Sequence, residues 1–248
     1  MRSQHDDLSI RCVDLTKQFG DHTAVDRLTF SASAGTVTGF VGGNGAGKTT
    51  TMRMLLGLIS PTSGRALVAG RPYVEHDEPR RVVGASIDGP GAHPARSAIE
   101  HLRIIATAAG LPRHGVEPVL DKVGLTASAG RKVGTFSMGM LQRLALAGAL
   151  LADPPILILD EPVNGLDPAG ILWMRGLLSE LAGEGRAILV SSHLLAELAE
   201  VADRIVVIHE GRLLADDTLT NLLAGRASSF EELYFELVGG GRAEGVSA

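Results

Sequence analysis

The segment from Gly42 to Thr50, GGNGAGKTT, constrains the fold of this chain more than any other stretch. It follows an apolar run, Thr36 to Val41, that predicts a buried strand, and it precedes residues 51–57, which predict a helix. A strand, a glycine-rich loop and a helix in this order are the context of a phosphate-binding loop. Successive backbone N–H groups and the positive end of the helix dipole can then hold a polyphosphate, and glycines let the backbone approach it closely.

Two side chains of this loop carry the predicted chemistry. Lys48 can reach the β- and γ-phosphates as a mobile charge, and Thr49 can place its hydroxyl on Mg²⁺. The alternative is a glycine-rich turn that contains a lysine by chance, but the flanking strand and helix favour a nucleotide site. The predicted nucleotide-binding residues are Gly42, Gly43, Asn44, Gly45, Ala46, Gly47, Lys48, Thr49 and Thr50.

Composition narrows the class of protein. The 248 residues suffice for one large α/β domain or two small ones, and 45% hydrophobic content argues against disorder. The formal net charge of −5 provides no electrostatic footprint for nucleic acid. The single cysteine, Cys12, excludes an internal disulfide and fits a reducing cytosol. Since no apolar run reaches 18 residues, we expect any membrane role to come through a partner.

The rest of the chain predicts an antiparallel part and a helical part around this core. Ser9–Leu15 and Ala24–Ala32 predict two strands of a small antiparallel sheet, with Phe19 in the turn between them. From spacing alone, Phe19 is equally compatible with stacking on an adenine and with facing the core. Arg81–Ile87 predicts a further strand. Residues 89–135 are helix-rich, with Ser97 and Glu100 spaced as a capping box, and predict a helical insert.

A second constellation follows the apolar run at 155–159. This run predicts a central parallel strand, and Asp160 and Glu161 come at its carboxyl end, where α/β sheets bind their ligands. Asp160 can hold Mg²⁺ together with Thr49, and Glu161 can act on the attacking water; a strand-ending cap is the alternative. His193 ends the next apolar strand, so we expect a polar role at the γ-phosphate, although a lone histidine is more often structural.

These residues together resemble the ATP-binding subunit of an ABC transporter, over nearly the whole chain. The resemblance implies a Walker A motif at Gly42–Thr50, a Walker B motif at Ile156–Asp160 with Glu161 as general base, and a switch histidine at His193. It also implies an adenine-stacking aromatic at Phe19 with an apolar neighbour at Val25. The family's signature sequence falls at Phe136–Met140, including Ser137 and Gly139, and its D-loop at Asn164–Asp167.

Two departures from the family pattern stand out. The signature is usually Leu-Ser-Gly-Gly-Gln, and here Met138 and Met140 replace a glycine and the glutamine. The loop that usually directs a glutamine toward Mg²⁺ carries Asp88, which can still ligate the metal or its water. Both changes resemble the exporter-type branch that serves antibiotic, lantibiotic and multidrug efflux.

The resemblance implies an ATPase at the cytoplasmic face of the membrane, with ATP and Mg²⁺ as cofactors. Two copies, or two homologous subunits, pack head to tail, with each ATP between Lys48 of one and Ser137 and Asp167 of the other. A membrane-spanning subunit docks in a groove beside Asp88 and the helical insert. The implied organisation is one domain, 1–248, with a helical signature subdomain at 89–150 and a short C-terminal helix plus frayed tail at 225–248.

Three rival interpretations remain at this point. The main one is a non-transport ABC-type ATPase of DNA repair or the ribosome, but such relatives carry tandem copies or long coiled-coil inserts. A GTPase or a kinase would share the phosphate loop, but an Asn-Lys-x-Asp motif for guanine is missing. A subunit that binds nucleotide without hydrolysing it is disfavoured, because the sequence contains all four of the expected functional residues, Lys48, Asp160, Glu161 and His193.

Overall fold

The structure is a computed structural model that describes residues 8–87, 89, 91–193, 195–224 and 229–240. Both strands and helices occur through these ranges, with a few single 3₁₀ turns between them. The strands are β1 (Ile10–Phe19), β2 (His22–Ala32), β3 (Thr36–Val41), β4 (Ser63–Val68), β5 (Val83–Ser86), β6 (Ile156–Asp160), β7 (Ala187–Ser192), β8 (Arg204–His209) and β9 (Arg212–Thr218). The α-helices are α1 (Lys48–Leu55), α2 (Pro79–Val82), α3 (Ala98–Ala108), α4 (Val116–Lys122), α5 (Met138–Leu150), α6 (Pro168–Gly183), α7 (Leu195–Ala199), α8 (Leu219–Leu223) and α9 (Phe230–Gly240).

The larger sheet is mostly parallel, as predicted for a P-loop NTPase core of the α/β class. Its strand order is β5-β6-β7-β3-β8-β9, and only β9 runs antiparallel to its neighbour. β6 and β7 are almost wholly buried because α6 lies on one face of the sheet and α1 and β2 lie on the other, which explains their continuous apolar runs. The carboxyl ends of β3, β6 and β7 lie side by side, since Val41 pairs with Ser192 and Asp160 with Ser191.

The smaller sheet confirms the predicted antiparallel part and adds one strand to it. Its order is β2-β1-β4, with both pairs antiparallel. Phe30 of this sheet stacks on Phe40 of β3 with ring centroids 5.1 Å apart, so the two sheets share a hydrophobic core. The small sheet is thereby held against the strand that leads into the phosphate loop.

Two predicted elements have different bounds in the structure. The strand expected over Arg81–Ile87 is shorter, because Pro79 starts the single turn α2 and the strand begins only at Val83. Near the end of the chain, the sequence pattern predicts a strand over Gly211–Ala215 and a helix over Asp217–Ala224. In the structure β9 continues to Thr218, whose hydroxyl then caps α8 by accepting from the Asn221 N–H at 3.3 Å.

The helical insert contains α3 and α4 and leads into α5, and the described residues from 91 to 135 contain no strand. The capping box is present at α3: Ser97 Oγ accepts from Glu100 N at 3.3 Å, and Glu100 Oε2 accepts from Ser97 N at 2.9 Å. The bonds that Glu100 Oε2 accepts from the Ser97 N–H and, at 2.7 Å, from the Ser97 hydroxyl hold the pKa of the Glu100 carboxyl below its usual value. The insert is therefore anchored by local chemistry that the sequence already contains.

The C-terminal helix α9 packs on α7 and α8, with Phe230 and Leu233 buried. Residues 225–228 and 241–248 of the predicted C-terminal segment lie outside the described residues. Within the described ranges, none of the helices combines the length and apolar character that a membrane span requires.

Candidate functional site

The phosphate-loop candidate connects β3 to α1, and two of its glycines are sterically required. A Cβ on Gly42 would lie 2.6 Å from the carbonyl oxygen of Ile208, and one on Gly47 would lie 2.5 Å from that of Ala24. Gly47 also has φ of +103°, a conformation that side chains rarely adopt. The loop backbone is thus wedged between β2 and β8, with its open side toward solvent.

Lys48 is the first residue of α1 and its side chain is buried. Its Nζ donates to the carbonyl oxygens of Gly42 at 2.7 Å and Gly43 at 3.3 Å, and lies 3.7 Å from Glu161 Oε1. The ammonium group is therefore held across the loop, at the end of the helix where the dipole also favours an anion.

Thr49 and Asp160, predicted to share a metal ion, lie in direct contact. Thr49 Oγ1 donates to Asp160 Oδ2 at 2.8 Å. A hydroxyl and a carboxylate are the hard oxygen ligands that Mg²⁺ prefers. The described residues contain no group of three or more His, Cys, Asp or Glu that could hold a metal alone. The pair consequently fits a Mg²⁺ ion that takes its other ligands from phosphate and water.

Ser191 is a site residue that the sequence analysis did not single out. Its hydroxyl donates to Asp160 Oδ1 and accepts from the Glu161 N–H at 2.9 Å. It reaches both residues because β7 pairs with β6 and places Ser191 opposite Asp160. The contact between Ser191 and Asp160 follows from the order of the strands, which a local sequence pattern does not show. The polar Ser191-Ser192 pair after an apolar run was nevertheless a signal that a strand ends at the site.

Glu161 and His193 follow the carboxyl ends of β6 and β7 and contact each other. His193 Nδ1 lies 2.7 Å from Glu161 Oε2, and the His193 N–H donates to the same oxygen at 3.3 Å. Glu161 has φ of +51°, a conformation that costs free energy for a residue with a side chain and that clusters at functional sites. The carboxylate is thus oriented by His193 on one oxygen and by Lys48 on the other.

A cavity of about 490 Å³ opens over these groups. Its lining consists of Phe19, His22, Ala24, Gly43, Asn44, Gly45, Ala46, Gly47, Lys48, Thr49, Thr50 and Glu161. Phe19 is 50% exposed at the rim, so it does not face the core, and Lys17 Nζ lies 5.0 Å from its ring centroid. Val25 is fully buried beneath Gly47 and does not line the cavity. His22 and Ala24 were not predicted and follow from the same hairpin as Phe19.

The predicted signature and D-loop residues do not line this cavity. Ser137 is the exposed N-cap of α5 and accepts from Met140 N at 3.3 Å, and Gly139 lies in the first turn. Asp167 is the N-cap of α6 and accepts from Gly170 N at 2.8 Å. Asp88, the predicted metal-linked residue, lies outside the described residues.

The chain is similar to known ATP-binding proteins of transporters in both sequence and structure. The family model described as ABC transporter matches residues 25–164. The bacitracin transport ATP-binding protein BcrA of Bacillus licheniformis is 45% identical over 210 residues, which cover 84% of this chain and 69% of that protein. The lantibiotic transport ATP-binding protein SrtF of Streptococcus pyogenes is 38% identical, covering 84% and 90% respectively. A solved ATP-binding subunit of an ABC transporter has a TM-score of 0.82 and 31% identity, and covers 92% of this chain and 99% of that one.

Proposed function

The chain belongs to the ABC transporter family, as an ATP-binding and ATP-hydrolysing subunit, and from this premise we propose that it powers an exporter through an ATP-dependent head-to-tail dimer. The observation that carries the proposal is the contact between Lys48 and Glu161 at one open cavity, with His193 bonded to the Glu161 carboxylate and the Thr49–Asp160 pair beside it. Nucleotide binding follows from family membership. The residue roles, the metal and the partners below are proposals.

We assign the hydrolytic step to Glu161. Its carboxylate faces the cavity and accepts a proton from the water that attacks the γ-phosphate. His193 orients this carboxylate through Oε2, and we assign it a polar contact with the γ-phosphate. Lys48 leaves its carbonyl partners for the phosphate oxygens and balances their charge.

Thr49 and Asp160 are the residues that would hold Mg²⁺, because their oxygens already meet at the mouth of the loop. The bound ion would neutralise charge on the phosphates. Ser191 keeps the Asp160 carboxylate oriented through its other oxygen. Phe19 supplies a stacking face for the adenine, worth about 1–3 kcal/mol by analogy with base stacking elsewhere, and Val25 supports the loop from below.

A second copy, or a homologous subunit, would complete each site. Ser137, Gly139 and Asp167 stay outside their own chain's cavity, and Ser137 presents an exposed helix N-terminus. Such a terminus binds a phosphate group well. We therefore place these three residues against the nucleotide held by the other subunit's Lys48.

A membrane-spanning subunit is the proposed second partner. An apolar groove of about 390 Å³ lies between the helical insert and the core, lined among others by Leu58, Tyr73 and Ile104. Leu58 and Ile104 keep much of their surface exposed, and a contiguous apolar groove indicates a protein-binding site. A loop of the membrane subunit would fill it at the cytoplasmic face of the membrane.

Export and domain organisation complete the proposal. The relatives named above transport bacitracin and a lantibiotic, and we extend export to this chain, with cargo selection left to the membrane subunit. We treat 1–248 as one domain, 89–150 as its helical signature subdomain, and 225–248 as the C-terminal helix and tail.

The test is the solution mass of Glu161→Gln with and without Mg-ATP. We expect slow hydrolysis and a shift from monomer to dimer that occurs only with ATP, because the amide keeps the shape but cannot take the proton. Glu210→Gln is the matched control: Glu210 also has a positive φ, 48°, but lies outside the cavity. It should turn over ATP and remain monomeric like wild type.

Two results would contradict the proposal. Wild-type turnover by Glu161→Gln removes Glu161 as the base. A monomer that binds no nucleotide removes the assignment of the loop.

A further inference from the structure

Met138, one of the two methionines that depart from the family signature, has a defined place in the structure. It is the first residue of α5, and its side chain lies against Gly165 in the loop before α6. A Cβ on Gly165 would lie 2.6 Å from Met138 Cγ and 3.9 Å from its Sδ. The methionine therefore fills the space that the missing side chain of Gly165 leaves free, while 57% of its surface remains exposed.

Three further contacts join the same two elements. A Cβ on Gly139 would lie 3.4 Å from Leu166 Cδ2, so the first turn of α5 packs closely on that leucine. Gln142 Nε2 donates to the carbonyl oxygen of Asn164 at 3.3 Å. The next residue is Arg143, whose guanidinium lies 3.7 Å from the ring centroid of Trp173 in α6. The start of α5, residues 164–167 and α6 thus form one packed unit.

Gly165 cannot be replaced by a residue that has a side chain while this contact is kept. Its φ is +75°, a conformation that favours glycine, and the methionine already occupies the Cβ position. The large side chain at position 138 is therefore complementary to the absence of a side chain at position 165. A glycine at position 138, as in the usual signature, would leave the loop uncovered at this point.

We propose that Met138 is a positioning residue that fixes the loop 164–167 against the N-terminus of α5. This inference rests on the proposed function, which places Ser137 and Gly139 at one end of this unit and Asp167 at the other against the second subunit's nucleotide. Met138 holds these groups at one spacing before the partner arrives. Less conformational entropy is then lost when the dimer forms.

This role predicts an effect on dimer affinity that is separate from ATP binding by the monomer. None of the residues from 137 to 143 or from 164 to 167 lines the cavity of its own chain. Removing the Met138 side chain should therefore loosen the loop and weaken the dimer, while ATP binding to the monomer stays as it was. A residue that only supported the fold would affect both.

The first experiment uses Met138→Ala in the Glu161→Gln protein with Mg-ATP. Alanine is at least as good a helix former as methionine, so α5 itself should not suffer. We expect the dimer dissociation constant, measured by sedimentation, to rise about tenfold, a typical coupling for residues in contact. The ATP dissociation constant of the monomer should change less than about twofold. Met138→Leu, of similar volume, should restore the dimer.

Val74→Ala is a matched control. Val74 is 70% exposed and covers Gly57 in the same manner, with its Cγ1 2.6 Å from the Cβ that Gly57 lacks. Gly57 also has a positive φ, +65°. Because this pair lies outside the nucleotide cavity and the signature, its loss should leave the dimer affinity unchanged.

Hydrogen exchange of the nucleotide-free monomer tests the contact independently of the dimer. Met138→Ala should accelerate exchange of the amides of residues 164–167, and Val74→Ala should not. Unchanged exchange there, or an unchanged dimer affinity, overturns the role of Met138. If the Glu161→Gln parent forms no dimer while exchange responds, the head-to-tail proposal fails and the positioning contact stands.

Discussion

At the scale of single residues, the site is a chain of hydrogen bonds in which each functional group orients the next. Thr49 bonds to Asp160, Asp160 to Ser191, Ser191 to the backbone of Glu161, and the Glu161 carboxylate to His193. Each polar group in this chain of bonds has a partner, as the cost of leaving one unsatisfied requires. The nucleotide-facing atoms are consequently held in place before any ligand arrives.

Ser191 tests this chain of bonds. Ser191→Ala should reduce kcat about tenfold or more, because Asp160 and the Glu161 backbone lose their shared partner, with a cost of about 1–3 kcal/mol in unfolding free energy. ATP affinity should stay within a few-fold, since Lys48 and the loop are untouched. Ser86→Ala, at the carboxyl end of the neighbouring strand β5, is the control. Wild-type turnover in Ser191→Ala would show that the bridge is dispensable.

Gly47 tests the steric requirement of the loop. Gly47→Ala adds a Cβ 2.5 Å from the Ala24 carbonyl, a backbone atom that cannot move alone. We expect a loss of about 3 kcal/mol or more in unfolding free energy and loss of ATP binding. Gly185→Ala has a similar φ, +94°, but open space around it, and should cost only about 1 kcal/mol. Equal losses in urea unfolding of the two variants would refute the steric argument.

At the scale of elements, helix N-termini do much of the positioning. Ser97, Ser137 and Asp167 are side-chain N-caps of α3, α5 and α6. The caps of α5 and α6 are also the proposed contacts to the second nucleotide. In this proposal each of the two residues both caps the start of a helix and contacts the nucleotide of the partner subunit. At α3 the cap has a structural role only.

The capping box of α3 predicts a pure stability effect. Ser97→Ala should lower the free energy of unfolding by about 1 kcal/mol, measured by thermal melting, with ATP affinity unchanged because α3 lies outside the cavity. Ser60→Ala, which keeps the backbone carbonyl that accepts from Lys17, is the control.

The same box predicts a pH dependence. Ser97 lowers the pKa of Glu100 in the folded state, so its stabilisation is present above the unfolded pKa of a glutamate and disappears as the pH falls through the folded pKa. The difference between wild type and Ser97→Ala should thus shrink on acidification. A difference that stays constant down to acidic pH would exclude Glu100 from the effect.

At the scale of the whole molecule, the parallel sheet gathers the site at one edge, and the helical insert creates the groove beside it. The nucleotide cavity and the groove are lined by separate sets of residues. Catalysis and docking should therefore be separable by mutation.

Ile104 tests this separation. Ile104 is 47% exposed in the groove, and Ile104→Asp should leave basal ATPase activity within about twofold. The variant should no longer co-purify with the membrane subunit or respond to it, because a charge would be buried against an apolar loop. Leu172→Asp, at an exposed leucine on α6 outside the groove, should retain both properties. A collapse of basal activity in Ile104→Asp would contradict the separation.

Much of the fold and of the candidate site was predictable because its signals are local. The loop Gly42–Thr50, the acidic end of β6 and the capping box of α3 depend on backbone conformation and periodicity within a few residues. These patterns place strands, helices and their polar ends without knowledge of the tertiary structure. The shifted starts of β5 and α8 show that the bounds are less well determined, because Pro79 and Thr218 compete with the apolar pattern.

The amino-acid sequence by itself determined the elements, the phosphate loop and the residue types at the strand ends, since each depends on neighbours along the chain. The tertiary structure alone decided which strand ends meet. Ser191 reaches Asp160 across 31 positions, and Met138 covers Gly165, only because the order of strands and the packing of α5 on α6 bring them together. Such contacts depend on which long-range pairings bury the most apolar surface, and a local pattern does not encode that choice.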